Sequence, residues 1–310
     1  MVTRQQTAYL HSDGGVNLQK LQFEPPNILP RFLYRTHSSL SRGLTTENGF
    51  YSQKAVQENA MKQDSPPPYH NLDLSSFSTL RLDDCPPDDL KKDVRQHLTN
   101  FQTFGGVTFE SPFVSLTTSL RLAMTWAHLR LQHEAQDVKI AIIDTTKLTS
   151  NAPIWHAPFL FGLVGGYKQI NFQEEYLAYS HVTGTLHHVS YQQIQTGHLQ
   201  RCFPELAYVD RKTKWEELPS QQAHMWLQPY SLQEQDLKDT LYIAKQMSND
   251  RNFIPVLASV LSLRRRNLEE AALFDLFVFA AQSKRRKHQY NMLEKLATIE
   301  IYDYFSNASS

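Results

Sequence analysis

Gln173 and Glu175 place an amide and a carboxylate two residues apart, at the start of an apolar run. The run over residues 176–179 is typical of a β-strand, and residues two apart along a strand point to the same side. Burying both polar groups costs several kcal/mol in total unless each finds a partner. A carboxylate fixed in this way can stabilise positive charge on a bound molecule. The alternative is a solvated pair at a loop edge.

Two basic side chains stand near the ends of other predicted elements. Residues 31–35 form a short strand candidate that ends on Arg35, and a lone arginine in that position is most often a surface charge. His97 lies near the end of a helix predicted over residues 90–99, after the acidic, proline-containing start signal of residues 84–89. A basic side chain at that end of a helix ordinarily stabilises it. Neither residue indicates a function by itself.

A third segment joins a strand to a helix. Residues 113–116 form the strand, and Ser115 and the following Thr117 place their hydroxyls on one side of it. A hydroxyl residue then caps a helix predicted over residues 120–132. The helix carries Trp126, whose spacing from neighbouring leucines also fits a position in the core.

The order of these segments resembles the Arg–Ser–Glu class of mono-ADP-ribosyltransferases, of the pertussis and heat-labile enterotoxin type, and similar fungal domains of unknown function. The matching segments are Tyr34-Arg35, His97-Leu98-Thr99, Phe113-Val114-Ser115 and Gln173 to Ala178. The resemblance covers roughly residues 28–200. It implies an α+β fold with an ADP-ribosyltransferase-like split mixed β-sheet core and flanking helices. One position departs from the family pattern, because its Ser-Thr-Ser becomes Ser115-Leu116-Thr117.

The resemblance implies that NAD is the substrate and that its nicotinamide–ribose bond breaks through an oxocarbenium-like transition state. Glu175 would hydrogen-bond the ribose 2′-hydroxyl and stabilise the growing positive charge. Ser115 would hold the Glu175 rotamer, and the planar donor fork of Arg35 would grip the pyrophosphate or ribose. We therefore expect Arg35, Ser115 and Glu175 to converge on one cleft.

The resemblance also assigns four further positions. Gln173 would face the incoming acceptor, and His97 would assist the acceptor nucleophile. Thr117 would keep a hydroxyl on the face of Ser115, and Trp126 would lie near the nicotinamide. A glutamine two residues before the glutamate resembles enzymes that modify Cys, Asn or Gln side chains, but the acceptor itself stays open.

The leading functional hypothesis is therefore an NAD-dependent mono-ADP-ribosyltransferase or NAD glycohydrolase. The alternative is a catalytically inactive protein of the same fold that acts as a binding module, and Leu116 in place of a hydroxyl residue favours it. A third hypothesis is a structural or regulatory protein whose function resides in a C-terminal helical domain. Under this hypothesis, the order of the matching segments is a coincidence.

Composition limits the partners and the compartment. Among 310 residues, 31 Lys and Arg balance 31 Asp and Glu, so no global field attracts nucleic acid or a membrane surface. The sequence shows no signal peptide and no apolar run of about 18 residues, which favours a soluble cytoplasmic protein. The resemblance, and not the composition, implies a protein acceptor as partner. The basic run Lys284–Lys287 is either a nuclear-import signal or a solvated helix end. No metal motif appears, and Cys85 and Cys202 are expected to be free thiols.

Changes in pattern along the chain predict four regions. Residues 1–27 form a flexible arm, 28–205 the ADP-ribosyltransferase-like domain, and 206–234 a linker. Residues 235–310 are predicted to form a C-terminal all-α domain. The segments 235–248, 253–263, 267–282 and 288–303 have helical apolar spacing, with almost no strand signal between them.

Overall fold

The structure is a computed structural model, and the residues that it describes are 29–63, 72–100, 109–164, 174–195, 199–203, 206, 209, 234–248, 256–257, 259–260 and 263. The predicted arm, Gln173, the basic run Lys284–Lys287 and nearly all of the predicted linker lie outside these residues. The chain divides into two compact units, residues 1–188 and 189–310. This division falls earlier than the predicted boundary at residue 205.

The first unit is built on one large antiparallel sheet. Its strands are β1 (Phe32–His37), β2 (Leu44–Thr46), β3 (Gly49–Tyr51), β4 (Phe113–Thr117), β5 (Lys139–Leu148), β6 (Ile154–His156), β7 (Glu175–Tyr179) and β8 (His181–Ser190), in the spatial order β2-β3-β8-β5-β1-β4-β7-β6. The predicted α+β class is confirmed. The strand pairs β1–β5, β4–β7, β3–β8 and β6–β7 are antiparallel, whereas the sequence analysis predicts a mixed sheet.

Seven α-helices with defined bounds accompany the strands in the described residues, and residues 256–257 and 259–260 are also helical. The seven are α1 (Gln53–Lys62), α2 (Pro87–Asn100), α3 (Leu120–Gln132) and α4 (Ala157–Leu163), followed by α5 (Tyr191–Gln195), α6 (Leu199–Cys202) and α7 (Glu234–Gln246) in the second unit. The helix predicted over residues 120–132 is confirmed as α3. Its N-cap is Ser119, whose hydroxyl accepts a hydrogen bond from the Leu122 N–H at 3.3 Å.

Alternate residues of β4 and β7 pack into two different cores. Phe113 and Tyr179 belong to a cluster that also contains buried side chains of α2 and α4, whereas Val114 and Ala178 belong to a cluster with β1 and β5. Because side chains alternate along a strand, Ser115 lies on the same face as Phe113. By the same alternation, Glu175 at the start of β7 lies on the face of Tyr179, which is the face that α2 covers.

A tight corner at Ser180 takes the chain from β7 to β8. Its φ of 68° lies in the left-handed region, which a non-glycine residue rarely adopts. The main chain of Ser180 is bonded on both sides, since its N–H donates to Pro112 and its carbonyl accepts from the Ser52 N–H, each at 2.8 Å. The hydroxyl also accepts from the Leu80 N–H at 2.8 Å. These bonds fix the end of the strand that begins at Glu175.

In the second unit, residues 189–190 end β8, and most of the other described residues are helical. Helix α7 agrees with a helix expected over residues 235–248, and the Sγ of Cys202 in α6 lies 3.5 Å from the hydroxyl of Thr240 in α7. The helices predicted over residues 267–282 and 288–303 lie outside the described residues, so the all-α domain stays a prediction. Cys85 and Cys202 are both buried and form no disulfide, as predicted. No helix in the described ranges is long and apolar enough to cross a membrane.

The core between the sheet, α2 and α4 depends on Trp155, which is 0% exposed. We expect Trp155→Ala to lower the free energy of unfolding by about 3–5 kcal/mol, because it leaves a large cavity in a closed cluster. Chemical denaturation followed by far-UV circular dichroism measures this change. Leu40→Ala, at a side chain that is 58% exposed, is the control and should change stability by less than about 0.5 kcal/mol. Equal effects of the two substitutions would contradict this account of the core.

Candidate functional site

Ser115 and Glu175 lie on neighbouring strands and face α2. The register places Thr117 of β4 opposite Glu175 of β7 and Ser115 opposite Leu177, so the serine and the glutamate are diagonal neighbours on one face. The Ser115 hydroxyl lies near the Glu175 carboxylate and lowers the pKa of that group by hydrogen bonding. Glu175 itself is 5% exposed, whereas Ser115 is only half-buried. The pair therefore sits where a buried carboxylate approaches the surface.

Helix α2 brings His97 against the same pair. The His97 Nε2 lies 2.8 Å from the Ser115 hydroxyl, and its Nδ1 lies 2.6 Å from the hydroxyl of Ser111. The imidazole and the Phe113 ring also form a T-shaped contact, with centroids 5.5 Å apart. Both ring nitrogens of His97 are thus engaged by serine hydroxyls.

Arg35 reaches this group from β1, across an opening in the sheet. Strand β1 pairs with β5 along its whole length. Between β1 and β4, the pairing is confined to Tyr34 opposite Thr117. Arg35 Nη1 donates a hydrogen bond to the main-chain carbonyl of Ser115 at 2.7 Å. On its other side, the guanidinium carbon lies 5.2 Å from the centroid of the Phe50 ring. The side chain of Arg35 therefore links β1 to β4 where the two strands are not paired by main-chain hydrogen bonds.

Burial controls the protonation of all three ionisable groups. Desolvation raises the pKa of Glu175 to about 7, and the Ser115 hydrogen bond and the charge of Arg35 oppose that rise. Desolvation, followed by the charge of Arg35, lowers the pKa of His97 to about 3. Desolvation and the charge of Arg130 lower the pKa of Arg35 to about 10. Near neutral pH, Arg35 is charged, His97 is neutral, and Glu175 is divided between its two forms.

One polar atom on each side of this site is buried without a hydrogen-bond partner. These atoms are the Nε of Arg35, a donor, and the Oε1 of Glu175, an acceptor. A buried polar group left unpaired costs about 1–3 kcal/mol, so such atoms in a folded protein call for an explanation. A ligand that offers an anionic oxygen to the first atom and a hydroxyl to the second would satisfy both. Phosphate and sugar together provide those groups.

The structure places the other predicted residues as follows. The Thr117 hydroxyl accepts from the Ser119 N–H at 3.0 Å and so supports the turn into α3. Trp126 is half-buried on α3, and its assignment to the nicotinamide stays a prediction. Leu116, at the position that lacks the family's middle hydroxyl, is 2% exposed and packs in the core on the opposite face from Ser115. Gln173 lies outside the described residues.

The sequence analysis did not identify two contributors. Ser111 stands four residues before Ser115, and Phe50 belongs to β3. Nothing in the local pattern around either residue indicates that it meets His97 or Arg35, since these contacts join distant parts of the chain.

The comparison with protein families gives one match. Residues 28–186, about half of the chain, match the family described as Domain of unknown function (DUF7587). The chain belongs to this family, and the matched region contains every residue of the site described above. No curated protein and no solved structure matches the chain.

The raised pKa of Glu175 predicts a dependence of stability on pH. Below about pH 4.5 the carboxyl is protonated in both folded and unfolded chains; between about pH 4.5 and 7 only the folded chain keeps the proton. The contribution of Glu175 to the free energy of unfolding therefore falls as the pH rises from about 4.5 to 7. Glu175→Gln has no carboxyl group to ionise in the buried site. The free energy of unfolding of this variant, relative to that of the wild type, should therefore increase by up to about 3 kcal/mol between pH 4.5 and pH 8.

Denaturant unfolding at both pH values measures this difference. Glu174→Gln is the matched control, because Glu174 is exposed and precedes Glu175 directly. It should show no comparable change with pH. A difference for Glu175→Gln that stays constant with pH would mean that the carboxyl titrates normally.

Proposed function

We propose that the protein is an NAD-dependent mono-ADP-ribosyltransferase or NAD glycohydrolase. The observation that carries the proposal is the pair of unpartnered buried atoms, the Nε of Arg35 and the Oε1 of Glu175, with Ser115 bonded to Arg35 and diagonal to Glu175 in the sheet. Arg35 offers a donor suited to a phosphate, Glu175 offers an acceptor suited to a sugar hydroxyl, and Ser115 is a neighbour of both residues. The order of the sequence segments agrees with this class of enzyme.

In the proposed reaction, Glu175 acts on the ribose that carries nicotinamide. Its ionised carboxylate accepts a hydrogen bond from the 2′-hydroxyl and stabilises the oxocarbenium-like charge that grows as the glycosidic bond breaks. The bonding electron pair leaves with the ring nitrogen, so nicotinamide departs neutral. Water or an acceptor side chain then attacks the ribosyl carbon and loses a proton to solvent. Ser115 holds the carboxylate in place throughout.

Arg35 binds the anionic part of the substrate in this proposal. A guanidinium has five N–H donors in a rigid fork, and the bond to the Ser115 carbonyl uses only one of them. Phe50 supports the guanidinium plane from the other side. A lysine would keep the charge but would lose the fork and most of this support. The arginine thus contributes mainly to substrate grip and orientation.

Nicotinamide release tests the role of Glu175. The purified chain should release nicotinamide from NAD slowly even without an acceptor, because water can capture the ribosyl cation. Glu175→Gln should reduce the rate by at least about 100-fold, roughly 2.7 kcal/mol of lost transition-state stabilisation, with far less effect on NAD binding. In the wild type, the rate should rise as Glu175 ionises, with a midpoint near pH 7 in the free enzyme.

Glu174→Gln serves as the control for charge and should leave the rate unchanged. If the protein bound NAD but showed no turnover under any condition tested, the alternative function would be favoured. That alternative is an inactive protein of the same fold that serves as a binding module. If the wild-type protein neither released nicotinamide nor bound NAD by calorimetry, the proposal would be refuted.

Arg35→Lys tests the proposed grip on the phosphates. It should raise KM for NAD by about tenfold or more, since the loss of a charge-assisted hydrogen bond costs about 1.5–3 kcal/mol. Arg31→Lys is the matched control, because Arg31 is exposed and precedes the same strand. If both substitutions left KM unchanged, Arg35 would be only the structural clasp between β1 and β4.

A further inference from the structure

Three side chains form a hydrogen-bonded series that leads from the edge of the site to the serine beside the buried carboxylate. The series runs from Ser111 to His97 Nδ1 at 2.6 Å and from His97 Nε2 to Ser115 at 2.8 Å. Ser115 is the diagonal neighbour of Glu175 on the same face of the sheet, and its hydroxyl lowers the pKa of the carboxyl by hydrogen bonding. Ser111 is half-buried, and its hydroxyl also accepts from the Phe113 N–H at 3.0 Å. The series therefore has an outer end nearer to solvent and an inner end at Ser115, beside Glu175.

Elementary hydrogen-bond rules fix the direction of the series when Glu175 is ionised. A carboxylate only accepts, so the Ser115 hydroxyl must donate to it. A hydroxyl has one proton, so Ser115 must then accept from the Nε2–H of His97. A neutral imidazole carries one N–H, so its Nδ1 must accept from Ser111. Every bond then points toward Glu175.

Protonation of Glu175 permits the opposite direction. The carboxyl can then donate to Ser115, which donates to His97 Nε2, and the Nδ1–H of His97 donates to Ser111. The Ser111 oxygen has two lone pairs, so it can accept this bond and the bond from Phe113 together. The two arrangements use the same atoms and need no movement of the backbone.

We propose that Ser111 and His97 are positioning residues that act through Ser115 on Glu175, as one reversible hydrogen-bonded series whose direction follows the protonation of that carboxyl group. A proton that enters at the Ser111 hydroxyl displaces one proton along each step and ends on Glu175, and His97 changes tautomer but remains neutral. His97 thus serves the carboxylate and has no nitrogen left for an acceptor nucleophile. Arg35 is the charged group whose field acts on both His97 and Glu175.

The tautomer of His97 provides a test that needs no enzymatic activity. The full chain with isotope-labelled histidine is studied by long-range proton–nitrogen NMR, and His97→Gln identifies the signal of His97 among the 13 histidines. We expect the Nε2–H form at about pH 8 and the Nδ1–H form at about pH 5, with a neutral ring at both. Glu175→Gln should abolish this change with pH while the ring stays neutral.

Three outcomes would overturn the proposal. They are an imidazolium that forms near the ordinary histidine pKa of about 6.5, one tautomer at all pH values in the wild type, and a tautomer change that persists in Glu175→Gln. None of them depends on whether NAD is the substrate, so this test and the nicotinamide assay can fail separately.

A second test rests on the proposed function. Ser111→Ala should lower kcat for nicotinamide release by about tenfold, the scale of one neutral hydrogen bond, with KM for NAD unchanged and the midpoint of the pH profile shifted. Ser39→Ala is the matched control, because its hydroxyl likewise accepts a main-chain N–H, from Gln136 at 2.9 Å. Equal effects of the two alanine variants, or a Ser111→Ala profile with the wild-type midpoint, would mean that Ser111 only supports the fold.

Discussion

The burial of the Glu175 carboxyl group beside Arg35 is the constraint on which the rest of the site depends. Taking a carboxylate out of water is costly, and one hydroxyl and one guanidinium offset that cost only in part, which is why the pKa of Glu175 rises to about 7. The folded chain keeps an acceptor atom unpaired at this position. Such an arrangement persists in a folded protein when the surrounding structure holds it in place.

The surroundings of Glu175 do hold it in place. The strand that carries it ends at the Ser180 corner, which three hydrogen bonds fix, and the cluster around Trp155 packs behind the same face. Across the opening between β1 and β4, Arg35 bonds the Ser115 carbonyl. Stability is thus supplied by the apolar core and the corner, and it offsets the electrostatic cost at the site.

Local patterns predicted the parts of this site that depend on strand alternation and helix capping. Alternation places the side chains of Ser115 and Thr117 on one side of β4, and Ser119 begins α3 where a hydroxyl cap was expected. That Ser115 lies near Glu175 was expected from the resemblance, and the pairing of β4 with β7 brings the two together. The same alternation shows why Leu116 at the variant position leaves that face unchanged, because it points into the opposite core. Contacts between distant segments were beyond such patterns, as the pairing of Ser111 with His97 and the stacking of Arg35 on Phe50 illustrate. The antiparallel sheet also differs from the predicted mixed one, since sheet order depends on pairings that no local pattern encodes.

A crystal structure with a non-hydrolysable carbocyclic analogue of NAD tests the central claim most directly. The account predicts that a phosphate oxygen lies about 3 Å from the Nε of Arg35 and that a ribose hydroxyl lies at a similar distance from the Oε1 of Glu175. Both atoms that are unpartnered in the free protein would then be satisfied by one molecule. An analogue bound elsewhere, or bound here with both atoms still unpaired, would contradict the account.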